Sequence, residues 1–153
     1  MPSGNSVAAW GLARLAALTG EEKWRRAADR QLAAFGPWFE RQPSAVTFAL
    51  SALMLEVFPS QELVCTLPDD GEKKSLALKL GGLAHPQTAV LVKSPEDQEA
   101  IGRLAPYTSA YPVNEREPIF YLCRNGSCEP PTSDFEDVKQ SLLATSQKLA
   151  FTQ

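Results

Sequence analysis

The chain has 153 residues, of which 44% are hydrophobic and 22% charged, with a net charge of −3 and three cysteines. That length suits one ordinary domain or two small units sharing a core; the mild acidity argues against nucleic acid or an anionic membrane as a partner, and no apolar run approaches the ~20 residues that span a bilayer. Few cysteines, in an odd number, point to reduced thiols in a cytoplasmic protein rather than a disulfide framework, and the first residues lack the basic and apolar regions of a secretory signal.

The opening stretch, Met1-Pro2-Ser3-Gly4-Asn5-Ser6-Val7-Ala8-Ala9-Trp10, is a turn running straight into a helix, with Asn5 or Ser3 as its cap. It reads as an internal junction, so the chain is expected to be part of a larger protein. The first helix extends to about Leu18, with Ala8, Leu12, Leu15 and Ala16 on one face, and Gly20 suits the left-handed position that ends it. Glu21 and Glu22 open a second helix whose apolar stripe is Trp24, Ala27 or Ala28, Gln31 or Leu32, Phe35, and Trp38 or Phe39. Gly36-Pro37 is expected to kink or stop it. A third helix, 45–57, is apolar on most sides and so is expected to be buried.

Beyond residue 58 the pattern alternates. Strands are expected at 62–67, 88–92 and 118–123, and helices at 72–80, 95–104 and 135–149. Gly81-Gly82 should break the first of these helices, and Ser94 should cap the second, with Pro95 at its first position. Ser133 or Asp134 should cap the last, which turns Val138, Leu142, Leu143 and Leu149 inward. Strands alternating with helices imply parallel pairing. The expected fold is therefore α/β, with three N-terminal helices packed on a small three-stranded parallel sheet. The expected units are 1–58 (helical) and 59–153 (α/β).

The most conspicuous constellation is Cys123-Arg124-Asn125-Gly126-Ser127-Cys128. Its C-x4-C spacing is neither the C-x-x-C of thiol–disulfide exchange nor a common zinc knuckle. One reading is a redox pair, Cys123 and Cys128, or half a metal site for which nothing supplies the other two ligands; the other is two small residues flanking a turn. In a parallel sheet Cys65 and Cys123 would share the C-terminal edge, and His85, which precedes its strand, would lie opposite. That C-terminal edge is where open parallel sheets bind ligands. A candidate ligand edge of Thr66, Ser94, Arg124 and Asn125 is the consequence, suited to a small anionic metabolite. No catalytic set, metal site or cofactor motif is legible: Pro68-Asp69-Asp70-Gly71 is no phosphate loop, and one histidine assembles no catalytic triad. The acidic pairs sit at helix starts, where the dipole accounts for them.

Two segments carry a resemblance. Pro2-Ser3-Gly4-Asn5-Ser6-Val7-Ala8-Ala9 with Leu18-Thr19-Gly20 and Trp24, and Phe120-Tyr121-Leu122-Cys123-Arg124-Asn125-Gly126-Ser127-Cys128 with Pro131-Thr132-Ser133-Asp134, resemble the C-terminal region of the thioredoxin-domain-containing, spermatogenesis-associated thioredoxin-like family. The resemblance implies a thioredoxin-like domain, an (α/α)6 barrel similar to sugar epimerases and six-hairpin glycosidases, and a terminal α/β unit. Ser3, Gly4, Asn5 and Ser6 match the turn near the barrel; Cys123, Asn125 and Cys128 match the late motif. Where relatives carry Pro-Asn before the second strand, this chain has Pro86-Gln87, and the glycine that often closes the first strand is replaced around Thr66-Leu67. The expected function is a non-catalytic module of a larger, carbohydrate-related cytoplasmic protein, whose partner is the rest of that protein. The alternatives are a redox unit at Cys123/Cys128 and a metabolite-binding module.

Overall fold

A computed structural model describes residues 2–150, with side chains described through Ala144; the inward placement expected of Leu149 lies outside the described residues. The chain divides into two compact units, Met1–Ser60 and Gln61–Gln153, against an expected boundary at 58/59.

The first unit is all helical: α1 (Gly4–Thr19), α2 (Glu22–Ala33), α3 (Gly36–Arg41), a 3-10 turn (Pro43–Val46) and α4 (Thr47–Val57). The Ser3 hydroxyl caps α1 by accepting from the Ser6 N–H at 3.2 Å. Gly20, at φ 71°, ends it in the left-handed conformation a side chain would resist. The buried face of α1 is Ser6, Ala9, Ala13 and Ala16, shifted from the expected one, and Leu15 is exposed. Small residues let helices approach closely: Ala9 packs with Leu32 of α2 and Ala52 of α4, and Phe39 and Leu53 close the cluster.

Two expectations fail in this unit. The break at Gly36-Pro37 ends α2 at Ala33 and starts a new helix, which resets the helical phase. Trp38 therefore leaves the Trp24 stripe and is 52% exposed. In α4 only Ala49 and Ala52 are buried; Met54 and Val57 are exposed, so the helix is not enclosed on most sides.

The second unit carries β1 (Gln61–Thr66), α5 (Lys73–Leu83), β2 (Thr88–Lys93), α6 (Gln98–Leu104), a 3-10 turn (Pro106–Ala110), β3 (Ile119–Arg124), β4 (Ser127–Cys128) and α7 (Phe135–Ala150). The sheet is four-stranded and mixed, in the order β2-β1-β3-β4. β1 and β2 are parallel, as expected, and α5 is the connection between them; it runs through Gly81-Gly82 rather than breaking there. β3 is antiparallel to β1, with Gln61 opposite Arg124 and Thr66 opposite Ile119, which corrects the expected parallel sheet. The connection from β2 to β3 holds a seven-residue helix, a 3-10 turn and a loop in place of one crossover helix, and the chain re-enters the sheet beside the end of β1. β3 begins instead at the end where β1 finishes and runs back.

Alternation along the strands then sorts the two faces. Leu63 and Cys65 of β1 and Phe120 and Leu122 of β3 share one face with Leu80 of α5 and Val138 and Leu142 of α7; all are buried. Asp134 caps α7, its carboxylate accepting from the Glu136 N–H at 2.8 Å. Val64, Thr66, Lys93 and Cys123 occupy the opposite face.

Leu63 is fully buried at the centre of this core. Leu63→Ala is expected to destabilise the chain by about 2–5 kcal/mol through lost burial and a residual cavity. Leu78→Ala, at a site 69% exposed, should stay within about 0.5 kcal/mol. Urea denaturation monitored by circular dichroism measures both.

Candidate functional site

The C-x4-C segment folds as a two-residue hairpin. Asn125 (φ 50°) and Gly126 (φ 77°) both adopt the left-handed conformation of a type I′ turn, for which Asn-Gly is the favoured pair because its twist matches that of the flanking strands. The turn sets Cys123 of β3 directly opposite Cys128 of β4. Directly opposed side chains share a face, and the two sulfurs are joined in a disulfide with a Cα–Cα distance of 3.9 Å. The expectation of reduced thiols is corrected here. Composition does not show that the turn aligns these two residues.

The bridge is asymmetric. Cys123 is 3% exposed, whereas Cys128 lies on a short, exposed edge strand. The Tyr111 hydroxyl lies 3.2 Å from Cys123 Sγ and 3.5 Å from Cys128 Sγ. Disulfide sulfurs carry no proton, so Tyr111 is the donor. Its ring packs on Tyr121 of β3 at 4.7 Å between centroids. Glu62 of β1 is the cross-strand partner of Cys123 on the side away from β4. Burial first, and then the Glu62 carboxylate, raise the pKa values of Tyr107 and Tyr111, so both phenols stay protonated at neutral pH. Tyr111 and Glu62 carried no sequence signal: one comes after a 3-10 turn, and the other becomes a neighbour of Cys123 only through the antiparallel register.

A second polar cluster gathers where β1 and β2 end. The Ser94 hydroxyl, fully buried, donates to Asp70 Oδ1 at 2.5 Å and lies 3.2 Å from Asp97 Oδ1, which accepts from the Ser94 N–H at 2.9 Å. Lys73 pairs with Asp97 and with Asp70. Ser94 therefore caps no helix; α6 starts only at Gln98, because Asp97 folds back onto Ser94 and Lys73. Lys93 is buried and donates from Nζ to the Thr108 carbonyl at 2.6 Å, and burial lowers its pKa. Thr66 is fully buried, and among the described residues its hydroxyl has no hydrogen-bond partner.

The candidate ligand edge does not assemble. Thr66 and Ser94 lie at the C-terminal ends of β1 and β2, but the reversed β3 carries Arg124 and Asn125 to the other end. There Arg124 pairs with Glu129 and donates to the Ser141 carbonyl of α7 at 3.0 Å, tying the hairpin to that helix. The same reversal puts His85 at the end that holds Cys123, and Cys65 near the other, contrary to expectation. Cys65 is free and buried, and burial pushes its thiol up to about 12. Among the described residues no three or more His, Cys, Asp or Glu side chains gather to hold a metal ion, and no helix is long and apolar enough to cross a membrane.

In the helical unit, Ser3 and Ser6 of the opening turn border a cleft of about 390 Å³ with Ser44, Thr47, Phe48 and Ser51.

These features define a two-unit chain: a helical unit, and an α/β unit with a mixed sheet whose edge hairpin is disulfide-bridged. Over 134 residues, 87% of its length, the chain is 26% identical to human spermatogenesis-associated protein 20 and 27% identical to the rat protein of that name. It spans only 17% of the length of these curated relatives. No family model and no solved structure matches the chain.

Asp97 supplies a test of the polar cluster. Burial raises its pKa, but the hydrogen bond from Lys73 and the Ser94 N–H outweigh burial and hold it below the usual carboxylate value. A folded pKa below the unfolded one contributes stability above the unfolded value, and that contribution is lost as pH falls through the folded one. Asp97→Asn should therefore cost about 1 kcal/mol at pH 7 and shrink the loss of stability between pH 5 and pH 3, read from urea midpoints across that range.

Proposed function

We propose that the chain is the C-terminal region of a larger cytoplasmic protein of the spermatogenesis-associated thioredoxin-like kind. In this reading residues 1–60 are the closing helices of a sugar-epimerase-like (α/α)6 barrel, and residues 61–153 are an α/β module without a catalytic set of its own. The observation that carries it is the similarity that covers 87% of this chain but 17% of its relatives, which leaves most of such a protein outside these residues. The opening Ser3-Gly4-Asn5-Ser6 turn and the late Cys123–Cys128 motif, matching at the two ends of the chain, support it. The partner is then the rest of the parent protein, and the parent's activity is carbohydrate-related. The isolated chain is expected to fold cooperatively and to turn over no sugar; epimerase or glycosidase activity in the purified chain would overturn the reading.

The asymmetric bridge favours a second reading, in which Cys123 and Cys128 form a redox couple. Disulfides in a reducing compartment are mostly transient, catalytic or redox-sensing, and an exposed sulfur gives an attacking thiolate its access. In mixtures of reduced and oxidised dithiothreitol, two thiols are expected to appear and disappear together, with Cys65 silent until the chain is denatured. A bridge that stays closed throughout, or thiols that never re-pair, would end this reading.

A further inference from the structure

A redox couple at this hairpin raises three questions: which sulfur is attacked, what supports the departing one, and what class of reductant the bridge accepts. The hairpin geometry bears on all three. Resting on the redox reading of the pair, we propose that the Cys123–Cys128 bridge is opened by a dithiol attacking Cys128 Sγ, with the Tyr111 hydroxyl stabilising the departing Cys123 sulfur.

Access fixes the first point. Exchange requires a thiolate to approach along the S–S axis from behind the sulfur it attacks. Cys128 lies on the two-residue edge strand, open to solvent, while Cys123 is 3% exposed on the strand next to β1. Attack therefore forms a bond to Cys128 Sγ and breaks the bond to Cys123 Sγ, which leaves with the electron pair.

The leaving sulfur then needs support. It departs as a thiolate on a buried face, with Glu62 as its cross-strand neighbour on β1. Low polarity and a neighbouring carboxylate both disfavour an anion there. The Tyr111 hydroxyl, 3.2 Å from this sulfur, is already placed to donate to it. A hydrogen bond to a charged acceptor is stronger than one to the neutral disulfide, so the contact strengthens as the bond breaks. Burial first, and then Glu62, raise the pKa of Tyr111, so the hydroxyl carries its proton at neutral pH and can donate it to this hydrogen bond.

Reclosure decides the class of reductant. After attack by a monothiol, Cys128 carries a mixed disulfide while Cys123 stays opposite it across the hairpin, at a Cα–Cα distance of 3.9 Å. An intramolecular thiolate held this close acts at an effective concentration far above that of any dissolved thiol. It expels the monothiol and restores the bridge. A dithiol escapes this competition: its second thiolate attacks its own sulfur in the mixed disulfide and releases Cys128. The balance is then complete. The dithiol is oxidised to a disulfide, Cys123 and Cys128 gain two electrons, and the two thiolates take protons from solvent.

The experiment uses the full chain in three arms. Opening is monitored by thiol titration with dithiothreitol and with glutathione at equal thiol concentration, in the native protein and in Tyr111→Phe, which retains the ring on Tyr121. Cys123→Ser, which cannot reclose, is treated with oxidised glutathione and its adduct mapped by mass spectrometry. Dithiothreitol should open the native bridge at least about tenfold faster than glutathione, Tyr111→Phe should slow opening about three- to tenfold with an unchanged circular dichroism spectrum, and the adduct should sit on Cys128. Equal rates with the two reductants, an unchanged rate in Tyr111→Phe, or a Cys128 that takes no adduct would overturn the inference while the redox reading stands. A bridge that neither reductant opens overturns both.

Discussion

The pairing of β3 against β1 is the constraint on which the α/β unit depends. One antiparallel register, from Gln61 opposite Arg124 to Thr66 opposite Ile119, decides which end of the sheet each side chain reaches. It also decides which face each occupies, since a slip of one residue would exchange the two faces of β3. In the observed register Phe120 and Leu122 join Leu63, Cys65, Val138 and Leu142 in the core. Cys123 is then turned to the opposite face, toward Tyr111 and beside Glu62. The hydrophobic demand of one face thereby places the chemistry of the other.

The two ends of the sheet solve different problems. Where β1 and β2 finish, Ser94, Lys93 and Thr66 are buried, and buried polar groups are costly unless paired. Ser94 is satisfied by two carboxylates and Lys93 by a carbonyl; the Thr66 hydroxyl has no partner among the described residues. The carboxylates around Ser94 are in turn held by Lys73, so removing any one member strands another. This is a closed knot, with its hydrogen-bonding capacity turned inward. At the other end the edge hairpin is open to solvent, and the Tyr111 hydroxyl donates to its bridged sulfurs.

Much of this was legible in the sequence, and the failures have particular causes. The strand sites at 61–66, 88–93 and 119–124 were marked by short apolar runs between turn residues, and the parallel pair by the helix between them. The direction of β3 was hidden because alternation does not say at which end of the sheet a connection re-enters it; here a short helix, a 3-10 turn and a loop lead to the end where β1 finishes. Gly81-Gly82 stayed helical because the hydrogen-bonded ladder of α5 outweighed a propensity cost of about 1 kcal/mol per glycine. Trp38 continued the stripe of α2 only on paper, because the break at Gly36-Pro37 reset the helical phase. The cysteine pair was visible as a motif and its bridging was not. Asn125-Gly126 is a strong hairpin signal, and applied to residues 119–128 it aligns Cys123 with Cys128 across a two-residue turn. The roles of Tyr111 and Glu62 depend on tertiary placement and left no local trace.

The position of the bridge also bears on what it is for. A disulfide stabilises a fold mainly by restricting the unfolded chain, and the effect grows with the loop it closes. Here the sequence separation is 5, which limits that effect to about 2 kcal/mol before any strain. The turn already holds the two strands together: the Glu129 N–H donates to the Leu122 carbonyl at 2.9 Å, and Phe120 and Thr132 exchange two further backbone hydrogen bonds. Arg124 fastens the hairpin to α7 independently of the sulfurs. With the bridge open, these backbone bonds and the Arg124 contact are what would hold the hairpin. A structural disulfide would sit where its loss unfolds the chain. In the redox reading proposed above, that placement lets the bridge open and close while the hairpin bonds keep the two cysteines aligned.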